Sequence, residues 1–207
     1  MSSIKEHWDA VYRTKQPHQV SWWQDTPKRS LELIHSLNLP KSASIIDIGG
    51  GDSTLVDHLL GEGFERVTVL DISEKAIERA RLRLGSVAGK VQWVIGDMNE
   101  FKSDIAYDLW HDRAAFHFLI DPVQIEMYRS IAERSIKPGG ALILGTFSTN
   151  GPKSCSGLSV HQYDQPSLSS ALGNGFESIS SLTEDHLTPF NTKQNFLFCA
   201  FHRRNNQ

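Results

Sequence analysis

The chain has 207 residues, and 21 Lys and Arg against 24 Asp and Glu give a net charge of −3 at pH 7. This near-neutral balance argues against a basic nucleic-acid-binding protein, and a hydrophobic content of 39% is usual for a globular protein. The longest hydrophobic run, Phe196 to Phe201, is too short for a membrane helix, and the two cysteines indicate neither a disulfide framework nor a zinc site. We therefore expect a cytoplasmic protein without a metal, a nucleic-acid partner or a membrane partner.

Apolar runs alternate with amphipathic segments through the first 147 residues. The pattern predicts five strands, at 44–48, 66–71, 91–95, from 107 and from 141, and helices at 53–60, 73–84 and 122–136. Asp52 or Ser53 is a natural cap for the first of these helices. Alternation of strand and helix at this spacing is typical of a parallel sheet.

The last third of the chain has a different character. Residues 148–159 are rich in Ser, Gly, Asn and Pro, which predicts a long loop. Two further strands, at 176–182 and 196–201, follow without an intervening helix and therefore predict an antiparallel pair at one edge of the sheet. We interpret the chain as one domain, with a helical cap at 1–40, a core at 41–147 and the loop and antiparallel strands at 148–207.

A glycine cluster follows the first predicted strand. Gly49 and Gly51 would allow a ligand to approach backbone N–H groups at a helix N-terminus. Thr54 stands where a dinucleotide fingerprint needs its third glycine, and Asp52 would repel a pyrophosphate. No Gly-Lys-Ser/Thr follows, so a Walker loop is also excluded.

Acidic residues lie at the ends of the first three predicted strands. Asp47 precedes the glycines, Asp71 ends the second strand, and Asp97 follows the third, directly before Met98. These positions suit S-adenosylmethionine, which carries an ammonium and a sulfonium but no phosphate: Asp47 would attract the methionyl end, Asp71 the ribose, and Asp97 with Met98 the adenine edge. The alternative for each acid is a helix cap or a turn residue.

Four motifs occur in an order that resembles class I S-adenosylmethionine-dependent methyltransferases. These are Ile45-Ile46-Asp47-Ile48-Gly49-Gly50-Gly51-Asp52-Ser53, Val69-Leu70-Asp71-Ile72-Ser73, Gly96-Asp97-Met98 and Lys137-Pro138-Gly139-Gly140. The resemblance implies a Rossmann-like, doubly wound, mostly parallel seven-stranded α/β sheet with an antiparallel edge hairpin and an N-terminal helical cap. It also implies S-adenosyl-L-methionine as cofactor and S-adenosyl-L-homocysteine as product.

Two groups within that family share further segments with the chain. Trp110-His111-Asp112-Arg113-Ala114-Ala115-Phe116-His117-Phe118-Leu119 is similar to a segment of a bacterial group whose substrates are not established. Trp8-Asp9-Ala10-Val11-Tyr12 resembles the opening of eukaryotic lysine methyltransferases that act on elongation factor 1A and citrate synthase. In the latter, N-terminal aromatics close over the cofactor and a basic residue at the position of Arg113 contacts it.

The residues and the resemblance together predict one cofactor-binding set. It consists of Trp8, Tyr12, Trp22, Asp47, Gly49, Gly51, Asp71, Ile72, Asp97, Met98 and Arg113. The chain departs from the eukaryotic lysine enzymes after the fourth strand, where Asp112-Arg113 replaces an acid-Lys pair and His117 replaces an aspartate. A shared substrate is therefore in doubt.

A general base would be needed near the end of the fourth strand if the acceptor must lose a proton. Our candidates for catalysis are His117 first, then His111 and Asp112. The alternatives are structural histidines and, for Asp112, a helix cap or a pair with Arg113. The loop 150–157, with His161 and Tyr163, is predicted to frame the acceptor pocket.

Two functions fit these features. The first is a methyltransferase acting on a small molecule or a protein side chain by in-line displacement. The alternative is a non-catalytic module that binds S-adenosylmethionine or a nucleoside and regulates a partner.

Overall fold

The elements of the chain follow one another as alternating helices and strands in the computed structural model, which describes residues 3–205. The α-helices are α1 Ile4–Thr14, α2 Lys28–Ser36, α3 Leu55–Gly61, α4 Glu74–Leu84, α5 Pro122–Ser135 and α6 Gln165–Leu172. The strands are β1 Ser44–Ile48, β2 Arg66–Asp71, β3 Val91–Ile95, β4 Tyr107–Arg113, β5 Ile136–Phe147, β6 Ser154–Cys155, β7 Leu158–Ser159, β8 Phe176–Leu187 and β9 Lys193–Arg203. Short 3-10 helices lie at Pro17–Gln19, Gly85–Lys90, Met98–Glu100, Phe116–Phe118 and Gly173–Gly175.

Seven strands form one sheet in the order β3-β2-β1-β4-β5-β9-β8. Strands β1 to β5 pair in parallel, whereas β9 is antiparallel to both β5 and β8. The order reverses direction at β1, between β2 and β4. The carboxyl ends of strands at such a switch point are where ligands bind in open α/β sheets. The predicted fold class is confirmed, including the antiparallel edge and the N-terminal helix.

The central strands are buried on both faces of the sheet. All five residues of β1 are buried. Ile46 and Ile48 face a core shared with α5 and α6, while Ile45 faces the core that contains Leu55, Val56 and Leu59 of α3. A parallel sheet covered by helices on both sides has this composition.

Three local features differ from the sequence prediction. Thr54 occupies the N-cap position of α3, while Asp52 pairs with Arg83 and the Ser53 hydroxyl accepts from the Leu55 N–H at 3.1 Å. Helix α6 was not predicted; it buries only Leu168 and Leu172, so its apolar periodicity is weak. Strand β5 begins at Ile136, five residues before the predicted start at 141, and therefore includes the Lys137-Pro138-Gly139-Gly140 motif.

The predicted loop 148–159 contains the small hairpin β6–β7. Ser156 and Gly157, its two central residues, have φ values of +52° and +81°. Positive φ at both positions is typical of a type I′ turn, which matches the twist of a two-residue hairpin. The segment is therefore a folded hairpin next to the carboxyl edge of the sheet.

Candidate functional site

The glycine turn after β1 is held against the end of β2. The N–H groups of Gly49 and Gly50 donate to the Leu70 carbonyl oxygen at 2.8 and 3.3 Å. Gly49 has a φ of +64°, a conformation that favours glycine. A Cβ on Gly51 would collide with the Asp71 carboxylate and lie 2.7 Å from the Ala76 Cβ. This close approach explains why glycine is needed at Gly51.

Asp71 lies at the carboxyl end of β2, beside the glycine turn. Its Oδ1 accepts a hydrogen bond from the Ser73 N–H at 2.7 Å, and the Gly51 N–H also donates to the carboxylate. Burial raises the pKa of Asp71 to about 7, and the Asp47 carboxylate adds to this rise. A buried carboxylate that faces a cavity would be stabilised by a further hydrogen bond from a ligand.

Asp97 and Met98 lie at the end of β3, the next strand of the sheet. The Asp97 Oδ1 accepts from the Asn99 N–H at 2.8 Å and caps the 3-10 turn Met98–Glu100. Asp97 can cap this turn and also contact a ligand, because the residue lines the cavity described next.

A cavity of about 560 Å³ runs along the carboxyl ends of β3, β2, β1 and β4. Its volume is that of a small-molecule site. Most of the predicted cofactor-binding residues line it: Trp8, Tyr12, Trp22, Gly49, Asp71, Ile72, Asp97, Met98 and Arg113. We call the part lined by Asp71, Ile72, Asp97 and Met98 the acid half. The part lined by Trp8, Trp22, Phe118, Cys155 and Leu158 is the aromatic half.

A second, smaller cavity of about 50 Å³ lies between Trp22 and the glycine turn. Arg113 lines both cavities, and Asp47 lines the smaller one. Gly51, the other predicted residue outside the main cavity, acts through its contact with Asp71. The wall of the smaller cavity therefore includes one buried acid and one cation.

Arg113 is a half-buried cation, and its guanidinium has two buried nitrogens that could donate to a ligand. Its Nη1 donates to the Trp22 carbonyl oxygen at 3.0 Å, whereas Nε and Nη2 are buried and have no partner within residues 3–205. Burial lowers the pKa of Arg113 to about 10, and the guanidinium packs 4.9 Å from the Phe196 ring centroid. Unsatisfied buried donors on a guanidinium are costly and suit a carboxylate ligand.

Asp47 presents the complementary group. Its Oδ1 accepts from the His111 Nδ1 at 2.7 Å, and its Oδ2 is buried without a partner in the described part of the chain. A free carboxylate oxygen and a free guanidinium at one small cavity fit the ammonium and carboxylate of an amino acid. The residues present therefore fit the methionyl end of S-adenosylmethionine.

His111 connects Asp47 to the N-terminal cap. Its Nδ1 lies 2.7 Å from the Asp47 Oδ1, and its Nε2 lies 2.9 Å from the Ser30 hydroxyl of α2. All three side chains are buried. The geometry gives His111 a role in orienting Asp47, which argues against the predicted role as a base for an acceptor.

Asp112 and His117 are also removed from the main cavity. Asp112 is fully buried and accepts from the N–H groups of Ala115 and Phe116 and from the Tyr128 hydroxyl. Burial raises the pKa of Asp112 to about 6. The structure places it as a cap for the turn after β4, the alternative to a catalytic role.

His117 was our first choice as general base, and its placement does not support that role. The side chain is 0% exposed and packs between Phe118 and Phe147, with ring centroids 4.6 Å from each. Its Nδ1 accepts from the Phe147 N–H at 3.3 Å. Burial, with a smaller effect of Arg113, lowers the pKa of His117 to about 3. A ring that binds protons so weakly is a poor base at neutral pH.

Helix α1 forms a lid of aromatic side chains over the cavity. Trp8 packs edge-on against Trp22 and Phe118, at centroid distances of 5.8 and 5.1 Å, and Tyr12 lies 6.4 Å from Trp22. Asp9, on the same helix, accepts from the Ser73 hydroxyl at 2.7 Å. We call this element, Ile4–Thr14 with Trp22, the lid.

The far end of the lid helix is fixed as well. Arg79 of α4 donates to the Lys15 carbonyl oxygen at 2.6 Å. Sequence reasoning missed both Asp9 and Arg79 as anchors, although Asp9 lies within the Trp-Asp-x-x-Tyr segment that the resemblance singled out. The lid helix is therefore attached at its middle to Ser73, the N-cap of α4, and just beyond its C-terminal end to Arg79 of α4.

The hairpin β6–β7 closes the aromatic half from the other side. Cys155, Gly157, Leu158 and Ser159 line the cavity, and the His161 N–H anchors the hairpin by donating to the His117 carbonyl oxygen at 2.8 Å. His161 itself stacks on buried Tyr163 at 4.4 Å. Within the described residues, the cavity lining includes neither of these two predicted pocket residues.

Among residues 3–205, none of the helices has the length and apolar character that crossing a bilayer would require.

Comparison with known proteins identifies the core of the chain. A family model described as "Methyltransferase domain" matches residues 45–140. The nodulation protein S of Rhizobium tropici is 28% identical over 114 residues, which are 55% of this chain and 47% of that protein. The EEF1A lysine methyltransferase 2 of Mus musculus is 32% identical over 82 residues, 36% of this chain and 34% of that protein. The matches thus span less than half the length of these curated relatives.

One solved structure extends the likeness to nearly the whole chain. The crystal structure of N-methyltransferase NodS from Bradyrhizobium japonicum WM9, in complex with S-adenosyl-L-homocysteine, superposes with a TM-score of 0.72. The superposition covers 96% of this chain and 99% of that one at 17% identity, so it shows the fold. The cavity described above lies at the carboxyl edge of that shared sheet.

Proposed function

We propose that the chain is a class I S-adenosylmethionine-dependent methyltransferase and that it transfers a methyl group from S-adenosylmethionine to a small-molecule or protein side-chain nucleophile. The proposal rests on two adjoining cavities that are lined by three chemically different groups of residues. Buried acids end β2 and β3, a free carboxylate oxygen and a free guanidinium lie at the small cavity, and aromatic rings cover the rest. These walls match the adenosine, the methionyl group and the transferable methyl in turn.

The acid half would hold the adenosine. Asp71 is oriented by the N–H groups of Ser73 and Gly51 and can accept from the ribose hydroxyls. Asp97, together with the backbone of Met98, can bind the adenine edge. Ile72 adds an apolar wall between the two.

The small cavity would hold the methionyl end. Arg113 can donate through its two unpartnered nitrogens to the carboxylate, and the Asp47 Oδ2 can accept from the ammonium. Ser30 and His111 keep Asp47 in position. When bound, S-adenosylmethionine supplies a methyl group on a positively charged sulfur, ready for in-line displacement.

The lid and the hairpin would exclude water and orient the acceptor. Orientation of two reactants can lower a barrier by roughly 7–11 kcal/mol, so positioning alone is a large effect. The faces of Trp8, Trp22 and Tyr12 also attract a cation such as a sulfonium. A regulatory module that only binds the ligand would have no use for this second, aromatic half.

The nature of the acceptor is proposed only as a class. Among the similar proteins, the rhizobial one is named an N-methyltransferase and the mouse one a lysine methyltransferase. We propose a cytoplasmic location on a separate ground: Cys155 and Cys199 are both unpaired in the described residues, as is usual in reducing compartments.

Two experiments test the proposal. Isothermal titration calorimetry with S-adenosylmethionine, S-adenosylhomocysteine and NAD should detect binding of the first two and not of NAD. Transfer of a labelled methyl group into a cell lysate, followed by separation of proteins from small molecules, then reports the acceptor class. Failure of both sulfur-containing ligands to bind would overturn the function, and binding without any labelled product would favour the regulatory alternative.

A further inference from the structure

The aromatic half of the main cavity has an apolar interior. Its walls are Trp8 and Trp22 of the lid, Phe118 of the turn after β4, and Cys155 and Leu158 of the hairpin. Trp8 packs against both of the other aromatic rings, so the wall is continuous. Such a chamber stabilises a ligand in proportion to the apolar area that the ligand removes from water.

The proposed cofactor accounts for the Asp and Arg side chains that line the main cavity. Among the described residues, these are Asp71, Asp97 and Arg113. The two acids lie at the proposed adenosine site, and Arg113 has the buried nitrogens proposed to bind the methionyl carboxylate. Asn99, Gln124 and Ser159 also line the cavity and are uncharged. An ionised acceptor would therefore leave water without gaining a partner of opposite charge from this lining.

Two isoleucines line the same cavity and are also exposed to solvent. Ile4, the first residue of α1, is 43% exposed, and Ile120, which directly precedes the N-cap of α5, is 55% exposed. Exposed apolar residues that occur singly are common, but a pair shared by the surface and one cavity indicates a ligand site. The apolar lining therefore continues from the interior of the cavity to its opening.

An apolar opening favours a small molecule over a segment of a protein. A peptide would bring its N–H and carbonyl groups to the opening, and each of them loses free energy when it leaves water without a hydrogen-bond partner. The side chains of Ile4 and Ile120 offer no such partner. They can instead cover a further part of an apolar molecule that is longer than the aromatic half.

We propose that the acceptor is an uncharged, elongated apolar small molecule whose reacting end binds in the aromatic half and whose body extends to solvent between Ile4 and Ile120. The proposal deepens the proposed function and rests on it, and it does not depend on which atom is methylated. In the transfer, a lone pair of the acceptor forms the bond to the methyl carbon. The carbon–sulfur bond breaks with its electron pair staying on sulfur, and a proton on the acceptor atom passes to solvent.

A series of uncharged alcohols tests the chamber and its opening. 1-Butanol, 1-hexanol and 1-octanol differ only in the length of their apolar chain. Ligand-observed NMR measures their binding to the full-length protein saturated with S-adenosylhomocysteine. We expect the affinity to rise by at least about twofold for each added methylene, because each one is removed from water by the cavity lining. An affinity that does not rise with chain length would overturn the proposal.

Charged molecules of the same length separate this proposal from the function on which it rests. Octylammonium and octanoate should bind at least about tenfold more weakly than 1-octanol, because the aromatic half offers neither of them an opposite charge. Tighter binding of either ion, or of a lysine peptide with blocked ends, would overturn the proposal and leave the methyltransferase intact. Absence of S-adenosylhomocysteine binding would instead overturn the proposed function itself.

A charge placed in the aromatic half tests the position of the reacting end. Leu158→Asp puts a carboxylate into the apolar wall and should lower the affinity for 1-octanol by at least about tenfold. Its affinity for S-adenosylhomocysteine, which also reports correct folding, should change less than about twofold. Leu187→Asp, at a side chain that is 59% exposed, is the matched control and should behave as wild type. Unchanged binding of 1-octanol to folded Leu158→Asp would overturn the proposal.

A substitution at the opening tests the path of the apolar body. Ile120→Ser alters an exposed side chain and should leave folding intact. It should lower the affinity for 1-octanol by about threefold, whereas 1-butanol, which is too short to reach the opening, should bind as to wild type. Leu82→Ser, at a side chain of α4 that is 82% exposed, is the matched control and should change neither affinity. Equal effects of Ile120→Ser on the two alcohols would overturn the proposal.

Discussion

The side chains in the two halves of the main cavity are held in place by different kinds of contact. In the acid half, side chains at strand ends are fixed by short-range hydrogen bonds, such as those from Ser73 to Asp71 and from Asn99 to Asp97. In the aromatic half, the walls come from the lid and the hairpin, which are separate in sequence and meet through ring contacts. The contacts that order the acid half are therefore local in sequence, whereas the aromatic half is closed by tertiary packing.

The largest effect is expected from Arg113→Met, which removes the cation between the two cavities. The variant loses two charge-assisted donors for a carboxylate, and each such hydrogen bond contributes about 1.5–3 kcal/mol. We expect affinity for S-adenosylhomocysteine to fall about a hundredfold or more, measured by calorimetry. Arg81→Met, at an exposed position of α4, is the control and should bind normally. Wild-type affinity in Arg113→Met would remove Arg113 from the site.

A smaller effect is expected from Gly51→Ala, which disturbs the local order of the acid half. The added Cβ would meet the Asp71 carboxylate and the Ala76 Cβ, and overpacking of this kind costs about 1–3 kcal/mol. Urea unfolding should show this loss of stability, together with weaker cofactor binding. Gly61→Ala is the matched control, because nothing lies within 4 Å of its added Cβ, and it should be neutral or stabilising. Equal stability of the two variants would contradict the close packing at Gly51.

Next in size is the pH dependence of cofactor binding through Asp71. Its pKa of about 7 means that the side chain is protonated below pH 7 and accepts hydrogen bonds from a ribose less well. We expect affinity for S-adenosylhomocysteine to fall as the pH is lowered from 8 to 6, by about tenfold at most, because one pKa unit corresponds to about 1.4 kcal/mol. Asp71→Asn should bind more weakly at pH 8 and lose most of this dependence. A wild-type affinity that does not change with pH would argue against ionised Asp71 as the ribose acceptor.

The smallest effect is expected from His117→Asn, behind the aromatic half. Asparagine can still accept from the Phe147 N–H, so the turn should persist, and a ring with a pKa of about 3 does not titrate in the working range. The pH profile of turnover per folded molecule should therefore match wild type. Loss of the acidic limb of that profile, with cofactor binding retained, would restore His117 as a catalytic base.

The acid half could be predicted from the sequence because its contacts are short in sequence. Gly49, Asp71 and Asp97 each follow an apolar run directly, and parallel strands bring their carboxyl ends to one edge. The bonds that complete the site are distant: Asp9 and Ser73 are 64 positions apart, and Ser30 and His111 are 81 apart. The spacing of residues along the sequence does not predict hydrogen bonds between residues that are so far apart.

The surroundings of the candidate bases could not be predicted from the sequence either. The type and position of the histidines near the end of β4 predict a catalytic role. The structure buries His117 among Phe118 and Phe147 and uses His111 to hold Asp47. Burial depth depends on packing from elements remote in sequence, such as the hairpin and β5, and a linear pattern does not contain it.

The attachment of the lid has a kinetic consequence. Asp9 bonds the hydroxyl of Ser73, and the N–H of that same Ser73 bonds Asp71. Ser73 therefore connects Asp71, in the acid half, with the lid, which covers the aromatic half. Because Trp8 of this attached helix is a wall of the chamber, we expect compulsory-order kinetics, with the nucleoside bound first and released last. Lid detachment, which must break the Asp9 and Arg79 bonds, then becomes the step that limits the steady-state turnover rate.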